Sequence, residues 1–357
     1  MTSAELVDWG LAERVAGRVA ARQKLPQPDA GTTPPEVDFA RLTSIAESLV
    51  EEQTGLVSAD GPAHIEVVDR AGWIAANLRS FRRLLTPLLE HYAEQLPAGR
   101  GGAARSFGRQ IAAGEIGMLL GWMSSRVLGQ YDLLVTDDDG DDRGAVYVVG
   151  PNLVGLEQRF GFPPEQFRLW VALHELTHRA QFTGVPWMRP FFLEQVEAAL
   201  SLANPDPGAL MARLRDAFFD RDDTRERLRQ GGLPAVFATP DQRVALDRLG
   251  GLMSLLEGHG DVTMDRAGKD QVPSAERFSR VLRARRRKTN LLQRLTGIAA
   301  KLEQYAAGER FIAAIEDAGG PRAVDRCWVG PEALPTMDEI RDPDRWISRQ
   351  LGTRQAV

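Results

Sequence analysis

Of 357 residues, one is cysteine, Cys327. No internal disulfide framework is possible, and the expectation is a reducing, cytoplasmic setting. Long apolar runs are also missing. Gly117-Met118-Leu119-Leu120-Gly121-Trp122-Met123 is among the longest, far short of the roughly 20 residues that span a bilayer. Met1-Thr2-Ser3-Ala4-Glu5 shows no basic stretch leading into an apolar core, so no secretory signal is expected. No long stretch carries charge of one sign, and the net charge is only −5, which argues against nucleic acid as a main partner. Lysine is rare, four against 40 arginines, an imbalance without functional meaning. There are no repeats, no low-complexity tracts and no Gly-x-Gly-x-x-Gly fingerprint for a dinucleotide. Nothing marks an oligomeric state.

What is present is an ordinary globular composition, 43% hydrophobic and 26% charged, long enough to bury a real core in one large domain or two. Histidine is scarce at five, yet two fall in one pattern: His174-Glu175-Leu176-Thr177-His178. On a helix, residues four apart lie on one face. Two imidazoles so placed can hold one Zn²⁺, and the glutamate after the first can take a proton from water activated there. The surroundings predict a helix over 163–183. Pro163-Pro164 open it, Phe167, Val171, His174, His178 and Phe182 recur at three- and four-residue steps, and Gly184 with Pro186 ends it. Core histidines held by hydrogen bonds are the plainer reading of such an apolar stripe. The full pattern favours a metal.

The rest reads as mainly α with a small β-sheet, an α+β chain. Helices are expected over 4–22, 38–52, 71–95, 106–128, 190–230 (broken at Asn204-Pro205-Asp206-Pro207-Gly208) and, as one or two, 274–318. Residues 64–68 fit a strand or, better, the entry to the 71–95 helix. Ala145-Val146-Tyr147-Val148-Val149 is the clearest strand, placed to pair with an extended substrate or, equally, to be a core strand. Gly129 reads as a helix stop. Gly114, Gly117 and Gly121 give one helix a flat face for close packing. Asp137 to Asp142 reads as an acidic turn: a calcium loop would want glutamate where Val148 stands. The run Arg283, Arg285, Arg286, Arg287, Lys288 is expected to pair with acids or face solvent, and 334–347 to pack as a cap. Residues 1–37 form an N-terminal helix and proline-rich loop. Residues 38–350 form one domain, with a possible helical part at 38–130 and a catalytic part at 131–350.

Two histidines leave a catalytic zinc site short of a ligand. Gln181 and Gly184 stand where a metzincin needs glycine and histidine. The better candidate is Glu257 in Leu255-Leu256-Glu257-Gly258-His259-Gly260-Asp261. Thr239, Pro240 and Gln242 predict the start of its helix. Asp261, four residues on, could orient a ligating histidine. Gly258 and Gly260 would let the helix approach the histidine helix. His259 is the rival ligand, about 200° around the helix from Glu257.

His-Glu-x-x-His followed by Glu-Gly-x-Gly-Asp resembles the gluzincin pattern. Several stretches resemble more closely the bacterial zincin-like type 2 family of zinc-dependent metallopeptidases, some of them labelled with deazaflavin-coenzyme biosynthesis. These are Ser125 to Asp132, Val149-Gly150-Pro151-Asn152, Trp170 to Phe182 with Val185-Pro186-Trp187, Leu255 to Asp265, and Lys301-Leu302-x-Gln304-Tyr305-x-x-Gly308-Glu309-x-Phe311. The resemblance implies a zincin-like fold and a hydrolase. The expected enzyme is a zinc-dependent peptidase acting on a peptide or protein, with Zn²⁺ on His174, His178 and Glu257 and Glu175 as base. Tyr305, ahead of Tyr131 and His259, would steady the oxyanion. A zinc hydrolase of a non-peptide amide or ester and an inactive zinc-binding scaffold remain open alternatives.

Overall fold

The computed structural model describes residues 7–23, 33–95, 102–134, 145–200, 239–287 and 298–352; side chains at 87–95, 102–106, 285–287 and 298–306 fall outside that description. The expected acidic turn at 137–142 and most of the 190–230 helix therefore lie outside the described residues. Contacts divide the chain into two compact units, residues 1–180 with 266–275, and residues 181–265 with 276–357.

The first unit is built on β3 (Ala145–Val149), whose Val146, Tyr147, Val148 and Val149 are all buried. A strand buried on both faces belongs in the middle of a sheet, and among the described residues β3 is the central strand of three. β1 (Ile65–Val68) runs parallel to it, with Ile65 opposite Val146; β2 (Gly129–Asp132) runs antiparallel, with Gly129 opposite Val148. Both edges of β3 are thus occupied. Of the two readings of 145–149, the core strand holds and strand addition of substrate to β3 does not; β2 is left as an edge strand.

The helices of this unit are α1 (Trp9–Ala21), α2 (Pro35–Thr54), α3 (Arg70–Gln95), α4 (Gly102–Met123), α5 (Gly150–Phe160) and most of α6 (Pro164–Thr183). Residues 65–68 form a strand as well as leading into α3, so the choice between the two was a false one. α4 ends five residues before the expected position. The hydroxyls of Ser124 and Ser125 donate to the carbonyls of Gly121 and Trp122 at 2.9 and 3.0 Å, local bonds that compete with helix continuation. Gly129 then opens a strand. The glycine face of α4 meets α1: a methyl on Gly117 or Gly121 would sit 2.5 Å from the Ala12 or Ala16 carbonyl oxygen. Gly114 does not share that face; a methyl there would meet nothing within 4 Å.

Two polar hubs set the position of the sheet and α6. Arg168, fully buried on α6, donates to both carboxylate oxygens of Glu157 (2.8 and 2.9 Å), to Asp38 (2.6 Å) and to the Thr33 carbonyl (2.7 Å). Asn152 accepts from Arg70 (3.0 Å) and donates to the Ser124 and Val127 carbonyls (2.8 and 2.7 Å). That second hub fixes the segment that delivers Gly129.

The second unit contains the end of α6, α7 (Met188–Leu200), nearly all of α8 (Pro240–Ala267), α9 (Ala275–Arg287, from Glu276 on) and α10 (Ile298–Gly319). Short 3-10 turns at Ala323–Trp328 and Pro331–Ala333 follow, then α11 (Met337–Arg341) and α12 (Pro343–Gln350). The expected capping box of α8 is present: Gln242 N donates to Thr239 Oγ1 (3.1 Å) and Thr239 N to Gln242 Oε1 (2.8 Å). The 274–318 region resolves into α9 and α10. Gly258 has a different role from the expected one. It faces Gly308 of α10, where a methyl on either glycine would collide with the other helix's backbone. The C-terminal cap is as read: Trp346 is fully buried and donates to the Ala333 carbonyl at 2.8 Å, with its ring 5.5 Å from Phe311.

Candidate metal centre

α6 begins at Pro164, whose missing N–H costs nothing in a first turn, and carries both histidines in its third and fourth turns. The Nε2 atoms of His174 and His178 face each other at 3.2 Å, and the rings meet nearly edge to face at 84°. Two nitrogens on a tetrahedral zinc at about 2.0–2.1 Å would be roughly 3.4 Å apart. The pair therefore fits one such ion, and two neutral imidazoles suit it chemically.

Glu175 is buried, 7% exposed, on the flank of the helix next to the histidine face. It lies against Gly129, the first residue of the edge strand. A methyl at Gly129 would stand 2.5 Å from Glu175 Cγ and 2.7 Å from Cδ and Oε1. The missing side chain at 129 is the space in which the carboxylate sits. In the sequence alone Gly129 reads as a helix stop, as a glycine after an apolar helix does.

The other expected residues occupy the second unit. Glu257 is half-buried on α8. His259, also on α8, is buried with its ring edge against Trp328, centroids 5.2 Å apart. Its Nδ1 lies 2.9 Å from Gln181 Nε2. Asp261 is hydrogen-bonded to Glu309 of α10, and burial together with the Asp261 charge pushes the Glu309 carboxyl up to about 7. Burial and Asp261 raise Asp265 too. Arg283 of α9 donates to Glu309 at 2.6 Å, so part of the basic run pairs with acid as expected. Tyr305 falls within α10, its side chain outside the described residues. Gln181 and Glu309 were not singled out as site residues. Both stand inside stretches that carried the family resemblance, but nothing in their spacing marked them.

The sequence model of a family of zincin-like metallopeptidases matches residues 7–347. The chain belongs to that family. A solved structure from Chloroflexus aurantiacus, titled a "putative hydrolase with a novel fold", is 32% identical and superposes with a TM-score of 0.70, covering 98% of this chain and 100% of that one. No curated protein matches. This zincin-like metallopeptidase is accordingly a hydrolase with a mostly helical fold and a small sheet, of a family that implies a metal, typically zinc. No described helix is long and apolar enough to cross a membrane.

Proposed function

We propose that this chain is a cytoplasmic zinc-dependent peptidase in which His174, His178 and Glu257 hold the metal and Glu175 is the general base. The carrying observation is the pair of Nε2 atoms facing each other at 3.2 Å, with the Glu175 carboxylate on the adjoining flank of the same helix. Glu257 enters as the third ligand from the sequence, where Glu-Gly-x-Gly-Asp follows His-Glu-x-x-His. Three protein ligands without a thiolate leave a position open, as catalytic zinc sites do. When bound, zinc acidifies water and polarises a carbonyl. Glu175, held by burial in the space left at Gly129, accepts the proton of the attacking water and can return it to the leaving amine. A peptide substrate is supported by β2. Among the described residues it is an edge strand, and its first residue is the one facing Glu175, so an extended chain paired along it would pass beside the base.

The test is cleavage of a mixed peptide library, read by mass spectrometry, with zinc-loaded wild type and Glu175→Gln. Cleavage by the wild type, reduced about 10²–10⁴-fold in the variant at equal zinc content, is expected. Equal cleavage by both would remove Glu175 from the base role.

A further inference from the structure

We infer that Gln181 is the positioning residue that locks His259 in one tautomer and holds the turn carrying Glu257 to the end of the histidine helix. The inference rests on the zinc-peptidase reading. α6 is unbroken from Pro164 to Thr183, so residue 181, seven past His174, lies within about 20° of it around the helix axis. Gln181 thus stands on the histidine face, one turn beyond His178. It is fully buried, where an amide without partners is costly.

Its partners flank Glu257. Gln181 Nε2 donates to the Leu256 carbonyl at 3.1 Å and lies 2.9 Å from His259 Nδ1. The carbonyl can only accept, so this end of the amide is the nitrogen. Its second hydrogen therefore goes to Nδ1, and the His259 proton must be on Nε2. The ring cannot turn away. Trp328 stands edge-on to it, and the Trp328 carbonyl accepts from Trp187 Nε1 at 2.9 Å. One side chain thereby clamps residues 256 and 259, on both sides of Glu257, and presents His259 Nε2–H as a fixed donor. A metal site tolerates little error in the place of a ligand's helix turn, and outer partners of this kind change metal affinity about 10–100-fold.

The test uses full-length wild type, Gln181→Met (same length, no amide) and Gln181→Glu (same shape, acceptor only). Zinc affinity is measured by chelator competition, and histidine tautomers by nitrogen-15 NMR of the metal-free proteins. His259→Gln assigns the signal among the five histidines. Wild type should show His259 protonated on Nε2. Gln181→Glu should place a proton on Nδ1, facing the new carboxylate. Gln181→Met should weaken zinc about 10–100-fold with its metal-free thermal midpoint reported alongside. A wild-type protein that takes up no zinc overturns the peptidase reading and this inference together. A wild type that binds zinc, with both variants binding it equally tightly or with the His259 tautomer unchanged in Gln181→Glu, overturns this inference alone.

Discussion

Glu175 and Gly129 are 46 positions apart in the sequence, and each explains the other. A carboxylate buried beside a helix needs room and a fixed direction if it is to meet a water rather than solvent at large. The room comes from a residue with no side chain at the start of the neighbouring strand. Gly129→Ala should therefore push Glu175 aside while leaving the histidines untouched. A displacement of this size can cost about 10²-fold in turnover. The expected result is a drop of that order in cleavage of the library substrates, with zinc content unchanged. Wild-type turnover in Gly129→Ala would mean that the carboxylate has slack the geometry does not show. His174, Glu175 and His178 were legible from sequence because their relation is carried by one helix and its 3.6-residue period. Gly129 was not, since the need for a missing side chain arises only when strand and helix are brought together.

At the scale of elements, helices were easy to read and their partners were not. Apolar periodicity gave α3 and α6 nearly whole, and Thr239, Pro240 and Gln242 gave the start of α8. What α8 packs against is a different kind of information. Gly258 admits α10 at Gly308, and the same crossing brings Asp261 and Asp265 of α8 to Glu309 of α10, with Arg283 of α9 on the other side. Burial and a neighbouring carboxylate both disfavour the charged form of a carboxyl. The Glu309 carboxyl, ordinarily near 4.5, is pushed up to about 7, by burial first and the Asp261 charge second. A raised pKa means that the folded state holds the proton longer than the unfolded chain. The resulting stability is fully present below 4.5 and is lost as pH rises through about 7. The thermal midpoint, followed by circular dichroism, should fall across that window, and Glu309→Gln should flatten the slope. An unchanged slope in the variant would show that the fall has another source.

For the whole molecule, the fold class was legible and the strand order was not. Val146, Tyr147, Val148 and Val149 announce a buried strand, but a strand buried on both faces does not reveal its neighbours. Only the pairing with β1 on one side and β2 on the other shows that β3 is closed to substrate and that β2 lies at an edge. The third ligand is harder still, because 78 residues separate His178 from Glu257 and no local period links them. The account depends on that link more than on any other. The direct test is zinc content by mass spectrometry of protein purified without chelator and then reconstituted, comparing wild type with Glu257→Ala and Glu175→Gln. The account predicts about one zinc per chain in wild type, the same in Glu175→Gln, and loss in Glu257→Ala. Zinc retained by Glu257→Ala, or absent from reconstituted wild type, would contradict it.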